Sequence, residues 1–245
     1  PDVLAARCER FGLKIRPGTD FEFVNPQDDP RYREYAEEYL KCVGRKGMPP
    51  NAARTVVRTN QTVISAIAVR RGDADALICG LEGRFTKHLR DIRQVIGVCE
   101  TARDLSAMSL LINSRGALFL SDTFVSEDPT AEEISEMAIL AAEEIRRFGI
   151  EPKIALLSMS NFGSRDTASS RKMREALELI WDRYPDLEVD GEMHGDSALS
   201  VDLRERVMPD SKLTGEANLL LFPNLDAANI AHNLLKVATQ ALHVG

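Results

Sequence analysis

Short apolar runs bounded by polar, Gly or Pro residues recur along the chain. They are Ala76-Leu77-Ile78-Cys79, Ser109-Leu110-Leu111-Ile112, Ala117-Leu118-Phe119-Leu120, Lys153-Ile154-Ala155-Leu156-Leu157 and Asn218-Leu219-Leu220-Leu221-Phe222. Each has the length of a strand, about 4–8 residues, and the unbroken apolar character of a strand buried on both faces. A more polar strand is expected from Leu187 to Met193. Between these runs apolar residues return at steps of three and four. The clearest case runs from Ala131 to Phe148, where Ile134, Met137, Ala138, Ala141, Ile145 and Phe148 form one stripe. Pro129-Thr130 opens that helix and Gly149 closes it. Further helices are expected at Asp29–Val43, Asn51–Arg71, Thr86–Ile96, Thr167–Arg183, Ala198–Val207 and Ala227–Ala241. This βα alternation predicts an open, largely parallel sheet with helices on both faces. The two runs separated by Asn113-Ser114-Arg115-Gly116 read as a hairpin and make the sheet mixed. Val98–Asp104 carries little apolar periodicity and marks a boundary between two lobes, residues 1–100 and 101–245.

Composition adds bounds. With 245 residues, 44% hydrophobic and 28% charged, the chain is ordinary globular material that needs no disulfide or metal to hold a core. Its formal net charge of −7 repels phosphate-rich partners at long range and argues against nucleic acid. A coenzyme would need a local basic patch. Cys8, Cys42, Cys79 and Cys99 stand alone, as free thiols in a reducing cytoplasm do. No apolar run approaches the roughly 20 residues of a membrane span. The opening Pro1-Asp2-Val3-Leu4 reads as the middle of something longer.

In open α/β sheets ligands bind beyond the carboxyl ends of the strands, so four segments are candidate sites. Ser158-Met159-Ser160-Asn161-Phe162-Gly163-Ser164-Arg165 offers hydroxyls, a glycine and helix-start amides that could cradle an anion, with Arg165, Arg171, Lys172 and Arg174 nearby. A capped helix with a solvated basic face is the plain alternative. Asp190-Gly191-Glu192-Met193-His194-Gly195-Asp196 suggests a metal or an acid/base pair, or simply acids that cap the next helix. Phe222-Pro223-Asn224-Leu225-Asp226-Ala227-Ala228-Asn229 allows close approach of a ligand at a helix start, or is a turn with an N-cap. Gly80-Leu81-Glu82-Gly83-Arg84 precedes Arg90 and Arg93, which share a helix face and could fork a phosphate or a carboxylate, or form ordinary salt bridges.

Three of these segments carry a resemblance. The runs Pro152–Ser164, Asp190–Ala198 and Ala217–Ile230 resemble phosphotransacetylase motifs in order and spacing. Asp20-Phe21-Glu22-Phe23-Val24-Asn25-Pro26, Ala74–Gly80, Arg146–Lys153 and Gly191–Asp196 are similar to the branch of that family fused to bacterial NADP-dependent malic enzymes. The likeness spans essentially the whole chain. It implies an α/β, three-layer αβα fold in two lobes with mostly parallel sheets, of the isocitrate/isopropylmalate dehydrogenase-like kind, with a ligand cleft between the lobes. It implies that both edges of the domain lie outside these residues. It also implies an upstream malic enzyme module in the same polypeptide, which would hold NADP and Mg2+ or Mn2+. A cytoplasmic homodimer or higher homo-oligomer is expected, with no nucleic acid or membrane partner.

Against the family pattern, one arginine position is kept at Arg90. Two others fall on Val43 and Val237, and Gly83-Arg84-Phe85-Thr86-Lys87 replaces a Ser/Thr-rich loop. Arginine to valine removes a permanent charge and a five-donor fork. One lost oxyanion donor costs about 10²–10³ in rate, so the resemblance implies a domain with no catalytic residues of its own that keeps acetyl-CoA as an allosteric effector. The contacts expected for acetyl-CoA or phosphate are Arg90, Arg93, Ser160, Asn161, Arg165, Asn224, Asn229, Asn233 and Lys236. The alternatives are an active phosphate acetyltransferase and a purely structural dimerisation module using the surfaces near Phe119 and Phe124.

Overall fold

The computed structural model describes the chain except Pro1, Gln27, Cys99, Glu100, Thr101 and Gly245. The chain divides into two compact units, Pro1–Cys99 and Glu100–Gly245.

Among its described residues, the first unit is helical. It contains α1 (Asp2–Arg10), α2 (Tyr32–Val43), a 3₁₀ turn (Gly44–Lys46), α3 (Pro50–Thr59), α4 (Gln61–Arg71) and α5 (Phe85–Val95). Tyr35, Tyr39, Val43, Val57, Val63, Ile67 and Val95 close around one core. The Tyr35 hydroxyl donates to Asp73 Oδ2 at 2.8 Å, and burial pushes it up to about 12, with that bond adding to the shift.

Three expectations change here. The single helix over Asn51–Arg71 is two. Asn60 adopts an extended conformation (φ −116°, ψ 103°) and its side chain accepts from the amides of Thr62 and Val63. An asparagine that caps a new helix start ends the previous helix. The helix expected from Asp29 starts at Tyr32, because the Asp29 carboxylate turns to bind the Arg31 amide and guanidinium. The strand expected at Ala76–Cys79 forms no ladder, since no other described segment pairs with it.

The second unit carries the sheet. Its elements are β1 (Met108–Asn113), β2 (Gly116–Ser121), α6 (Ala131–Arg147), β3 (Ile154–Leu157), α7 (Ala168–Arg183), β4 (Val189–Met193), α8 (Gly195–Leu199), α9 (Val201–Val207), β5 (Leu219–Leu221), α10 (Leu225–Ala238) and β6 (Leu242–Val244). The strand order is β4-β3-β5-β2-β1-β6. β4/β3, β3/β5 and β5/β2 run parallel, while the β1/β2 hairpin and the β1/β6 edge are antiparallel. The sheet is therefore mixed and mostly parallel.

Period-two alternation sends neighbouring strand residues into different cores. Ile154, Leu156, Leu219, Leu221 and Phe119 meet α6 and α7 on one face. Ala155, Leu157, Leu220, Leu111 and Leu120 meet the α8 and α10 side. Helix–sheet–helix layering follows directly from the apolar runs. A capping box at Thr130 and Glu133 starts α6, as its sequence implied. Phe148 falls just beyond α6, 59% exposed. The helix expected over Ala198–Val207 is split at Ser200, which is extended and caps α9. Phe119 is fully buried, so it cannot belong to a dimer surface.

Candidate functional site

The first two motif loops are stitched together by their own polar groups. Ser160 is fully buried, and its hydroxyl bridges the Arg165 carbonyl and amide at 3.1 and 3.0 Å. Asn161 donates to Ser197 Oγ at 3.2 Å and accepts from the His194 amide at 3.1 Å. The Glu192 carbonyl accepts from the Phe162 amide at 2.7 Å. Its carboxylate accepts from Gly163 N–H and from Arg174, each at 3.0 Å. His194 Nε2 meets the Met159 carbonyl at 3.0 Å. Ser160 and Asn161 therefore build the loop.

Asp190 is equally committed. It accepts from the Ser211 hydroxyl at 2.7 Å and the Lys212 amide at 2.8 Å. Neither Asp190 nor Glu192 caps α8, which corrects the capping expectation. Only Asp196 bonds an amide of that helix, that of Ser197. Among the described residues no group of three or more His, Cys, Asp or Glu side chains is placed to hold a metal ion. Gly191 must be glycine. Its φ is +151°, and a Cβ there would lie 2.6 Å from the Leu156 carbonyl oxygen.

The basic side chains near this loop are mostly neutralised. Arg171 and Arg174 pair with Asp166, Arg174 also with Glu192, and Lys172 with Asp128. Arg165 is exposed and makes no ion pair among the described residues. In the first unit Arg90 is exposed, with Asp91 3.9 Å away, and Arg93 lies one turn further along α5. Of Gly83–Lys87, the last three residues open α5; the turn before the helix is held by His88, whose Nε2 meets the Glu82 carbonyl at 2.7 Å and whose Nδ1 meets the Thr62 hydroxyl at 2.8 Å.

The third motif supplies α10. Asn224 is its N-cap, accepting from the Ala227 amide at 3.0 Å. Asn229 donates to the Thr123 carbonyl at 3.1 Å, Asn233 to Asn229 at 2.9 Å, and Lys236 approaches Asn233 Oδ1 at 3.4 Å. These three form a polar ladder along the helix. His232 is 1% exposed, with no hydrogen-bond partner on either ring nitrogen. Its ring lies edge-on to Phe124 and to His243, at 5.8 and 4.8 Å. Burial lowers its pKa, with His243 and Lys236 adding to the effect.

All three loops meet at one cleft of about 630 Å³ in the second unit. Ser158 and Met159 come from the first loop, Gly195 and Asp196 from the second, and Phe222, Pro223 and Ala227 from the third. Ala231, Leu234 and Leu235 of α10 complete the wall. A mostly apolar concavity with a few polar groups is the usual character of a small-molecule site. The motifs pointed to these loops, but the lining residues differ from the contacts expected from the sequence. None of Arg90, Arg93, Ser160, Asn161, Arg165, Asn224, Asn229, Asn233 or Lys236 lines it. The missed signal was on α10, where Ala227, Ala231 and Leu234 recur at helical spacing and line the cleft.

A mostly parallel sheet with a ligand-sized cleft at its strand ends is an α/β protein with its concavity where open sheets of this kind bind ligands. Residues 2–245 match the family profile described as Phosphate acetyl/butaryl transferase, and the chain belongs to that family. It is 62% identical over 245 residues to an NAD-dependent malic enzyme of Rhizobium meliloti (strain 1021), covering 100% of this chain and 32% of that protein. It is 48% identical over 239 residues to an NADP-dependent malic enzyme of Escherichia coli (strain K12), covering 98% of this chain and 32% of that protein. The chain thus spans about a third of the length of these relatives. Among solved structures it is similar to a phosphotransacetylase from Streptococcus pyogenes, with TM-score 0.88 and 26% identity over 100% of this chain and 73% of that one. No helix among the described residues is long and apolar enough to cross a membrane.

Proposed function

We propose that the chain is a regulatory domain of a malic enzyme, which decarboxylates malate oxidatively to pyruvate. The domain binds acetyl-CoA as its effector and has lost acyl transfer. One observation carries the reading: the three family motifs still converge on a single cleft, while the groups suited to acyl chemistry are spent or replaced. Ser160 and Asn161 are consumed in bracing. Val43, at a position where the family resemblance places arginine, is 2% exposed inside the α2–α5 core. Val237, the other such position, is 74% exposed and carries no charge. The apolar wall suits the pantetheine arm and acetyl group of a thioester. Arg165 and Lys236, on the loop and helix that bound the cleft, supply cations for its phosphates.

Regulation requires that acetyl-CoA bind two states of the parent enzyme with different affinity. The dinucleotide and divalent metal belong to the rest of the polypeptide. A homodimer or larger assembly is part of the proposal, because effector binding at a subunit boundary is an economical route to coupling.

A second reading is a working phosphate acetyltransferase. The similarity to the Streptococcus pyogenes phosphotransacetylase and the exposed Arg90 favour it. Incubating the full-length protein with CoA and acetyl phosphate separates the two. Binding of acetyl-CoA without acetyl-CoA formation supports regulation. Turnover within about tenfold of the enzyme median near 10 s⁻¹ supports the transferase.

A further inference from the structure

The first unit has a concavity of its own, about 480 Å³, in the groove between α2 and α3. It shares no residue with the cleft of the second unit. Helical spacing builds it. Tyr32, Ala36 and Leu40 recur at steps of four along α2, and Arg54 and Arg58 do so along α3. Like charges four apart on a helix repel each other, and no carboxylate relieves these two. Among the described residues neither Arg54 nor Arg58 makes an ion pair, whereas Arg31, Arg70 and Arg71 of the same unit all do. The one carboxylate of the lining, Glu37, is taken by Arg33 at 3.1 Å. Three arginines against one glutamate leave the groove two positive charges in excess, on a chain whose net charge is −7.

The two arginines are also held in place. The Tyr32 hydroxyl donates to the Arg54 carbonyl at 2.8 Å, and the Arg58 guanidinium lies over the Tyr32 ring, 4.3 Å from its centroid. A guanidinium laid on an aromatic face keeps its in-plane N–H groups available, the fork that fits a phosphate. Ala36, Leu40 and Pro50 give the groove an apolar side. We infer that the α2/α3 groove binds a small organic phosphate, with the phosphate forked by Arg54 and Arg58 and the carbon skeleton against that apolar side. The volume falls within the roughly 300–1,000 Å³ usual for small-molecule sites, more than a lone inorganic ion fills. Nucleic acid fits poorly, because two unpaired arginines neutralise too few phosphates to offset the chain's negative charge. The inference rests on the first unit alone and stands whether or not acetyl-CoA binds the second.

Calorimetric titration of the full-length polypeptide with phenyl phosphate tests it, with inorganic phosphate as the comparison. Phenyl phosphate should bind saturably with a Kd of about 1 mM or below. Inorganic phosphate, which lacks the apolar contact, should bind about tenfold or more weakly. The double variant Arg54→Gln/Arg58→Gln should weaken phenyl phosphate about tenfold or more, and Leu234→Glu in the second unit should leave it unchanged. Absence of saturation overturns the inference, as does inorganic phosphate binding as tightly as phenyl phosphate. So does a double variant within about twofold of the wild-type affinity. Loss of binding in Leu234→Glu also overturns it, by placing the phosphate in the other cleft. Should the double variant fail to fold, hydrogen exchange of the wild type decides: saturating phenyl phosphate should slow the amides of α3, and unchanged exchange there overturns the inference.

Discussion

Glu192 is the brace on which the cleft depends, and its removal has a calculable cost. The carboxylate is 1% exposed and holds the Gly163 N–H of the loop and Arg174 of α7, at 3.0 Å each. Deleting one partner of a buried ion pair costs about 3–5 kcal/mol. Arg174 is 31% exposed and keeps Asp166 at 3.1 Å, so its share shrinks. Glu192→Ala should therefore cost about 2–3 kcal/mol, part of it the orphaned Gly163 amide. Glu192→Gln keeps an acceptor for Gly163 and loses only the charge, for about 1 kcal/mol. Urea-dependent hydrogen exchange over residues 154–174 of the full-length protein measures both. The order Ala worse than Gln, with loosening centred on Ser158–Arg165, is expected. Two variants within about 0.5 kcal/mol of the wild type would refute the bracing argument, as would exchange at Gly163 that does not change.

Other outcomes follow from the same contacts. Gly191→Ala should destabilise the second unit by about 3 kcal/mol or more, because its Cβ would sit 2.6 Å from Leu156 O and 2.8 Å from Leu156 Cβ; a thermal melt unchanged from wild type contradicts this. Asn60→Ala should cost about 1–2 kcal/mol, losing the α4 cap and the 2.7 Å bond to Asp91. Asn60→Asp should not restore stability, because it keeps the cap acceptor but sets a second carboxylate against Asp91; denaturant midpoints decide. His232 has a lowered pKa in the fold, so over the intervening pH range the unfolded chain binds the proton and the folded chain does not. Its stabilising contribution is present above about pH 6.5, the unfolded value, and is lost as pH falls below that. His232→Phe should flatten that part of the stability–pH curve, read from denaturation midpoints between pH 5 and pH 8.

The second unit was legible because its signals are local. Runs such as Ile154–Leu157 alternate cleanly between two faces, and the Thr130 capping box and Gly149 mark both ends of α6. β6 escaped notice because three residues show no period. The Asn60 and Ser200 breaks were hidden because both residues interrupt otherwise continuous helical patterns, and only their backbone conformations reveal the caps. Ala76–Cys79 read as a strand from its composition, yet a strand needs a partner, and pairing is a non-local property. The site was half legible. Motifs fixed which loops converge, but of the polar residues singled out as contacts Ser160, Asn161 and Asn224 are spent holding those loops, while Arg90, Arg93 and Arg165 stay exposed outside the cleft lining. The surfaces left for a ligand are the apolar side chains of Met159, Ala231 and Leu234, which in sequence look like core. Phe119, near which an apolar docking surface was expected, is itself buried completely by the sheet.

The central claim is that this cleft receives acetyl-CoA and reports it to the rest of the polypeptide. The most direct measurement is a calorimetric titration of the full-length protein with acetyl-CoA, run alongside malate oxidation at the same ligand concentrations. Leu234 lines the cleft and is 66% exposed, so Leu234→Glu should leave the fold intact while setting a charge against the apolar wall. The account predicts saturable binding, a matching change in malate oxidation, and a loss of affinity of about tenfold or more in Leu234→Glu. Absence of binding, or binding that Leu234→Glu leaves untouched, would contradict it.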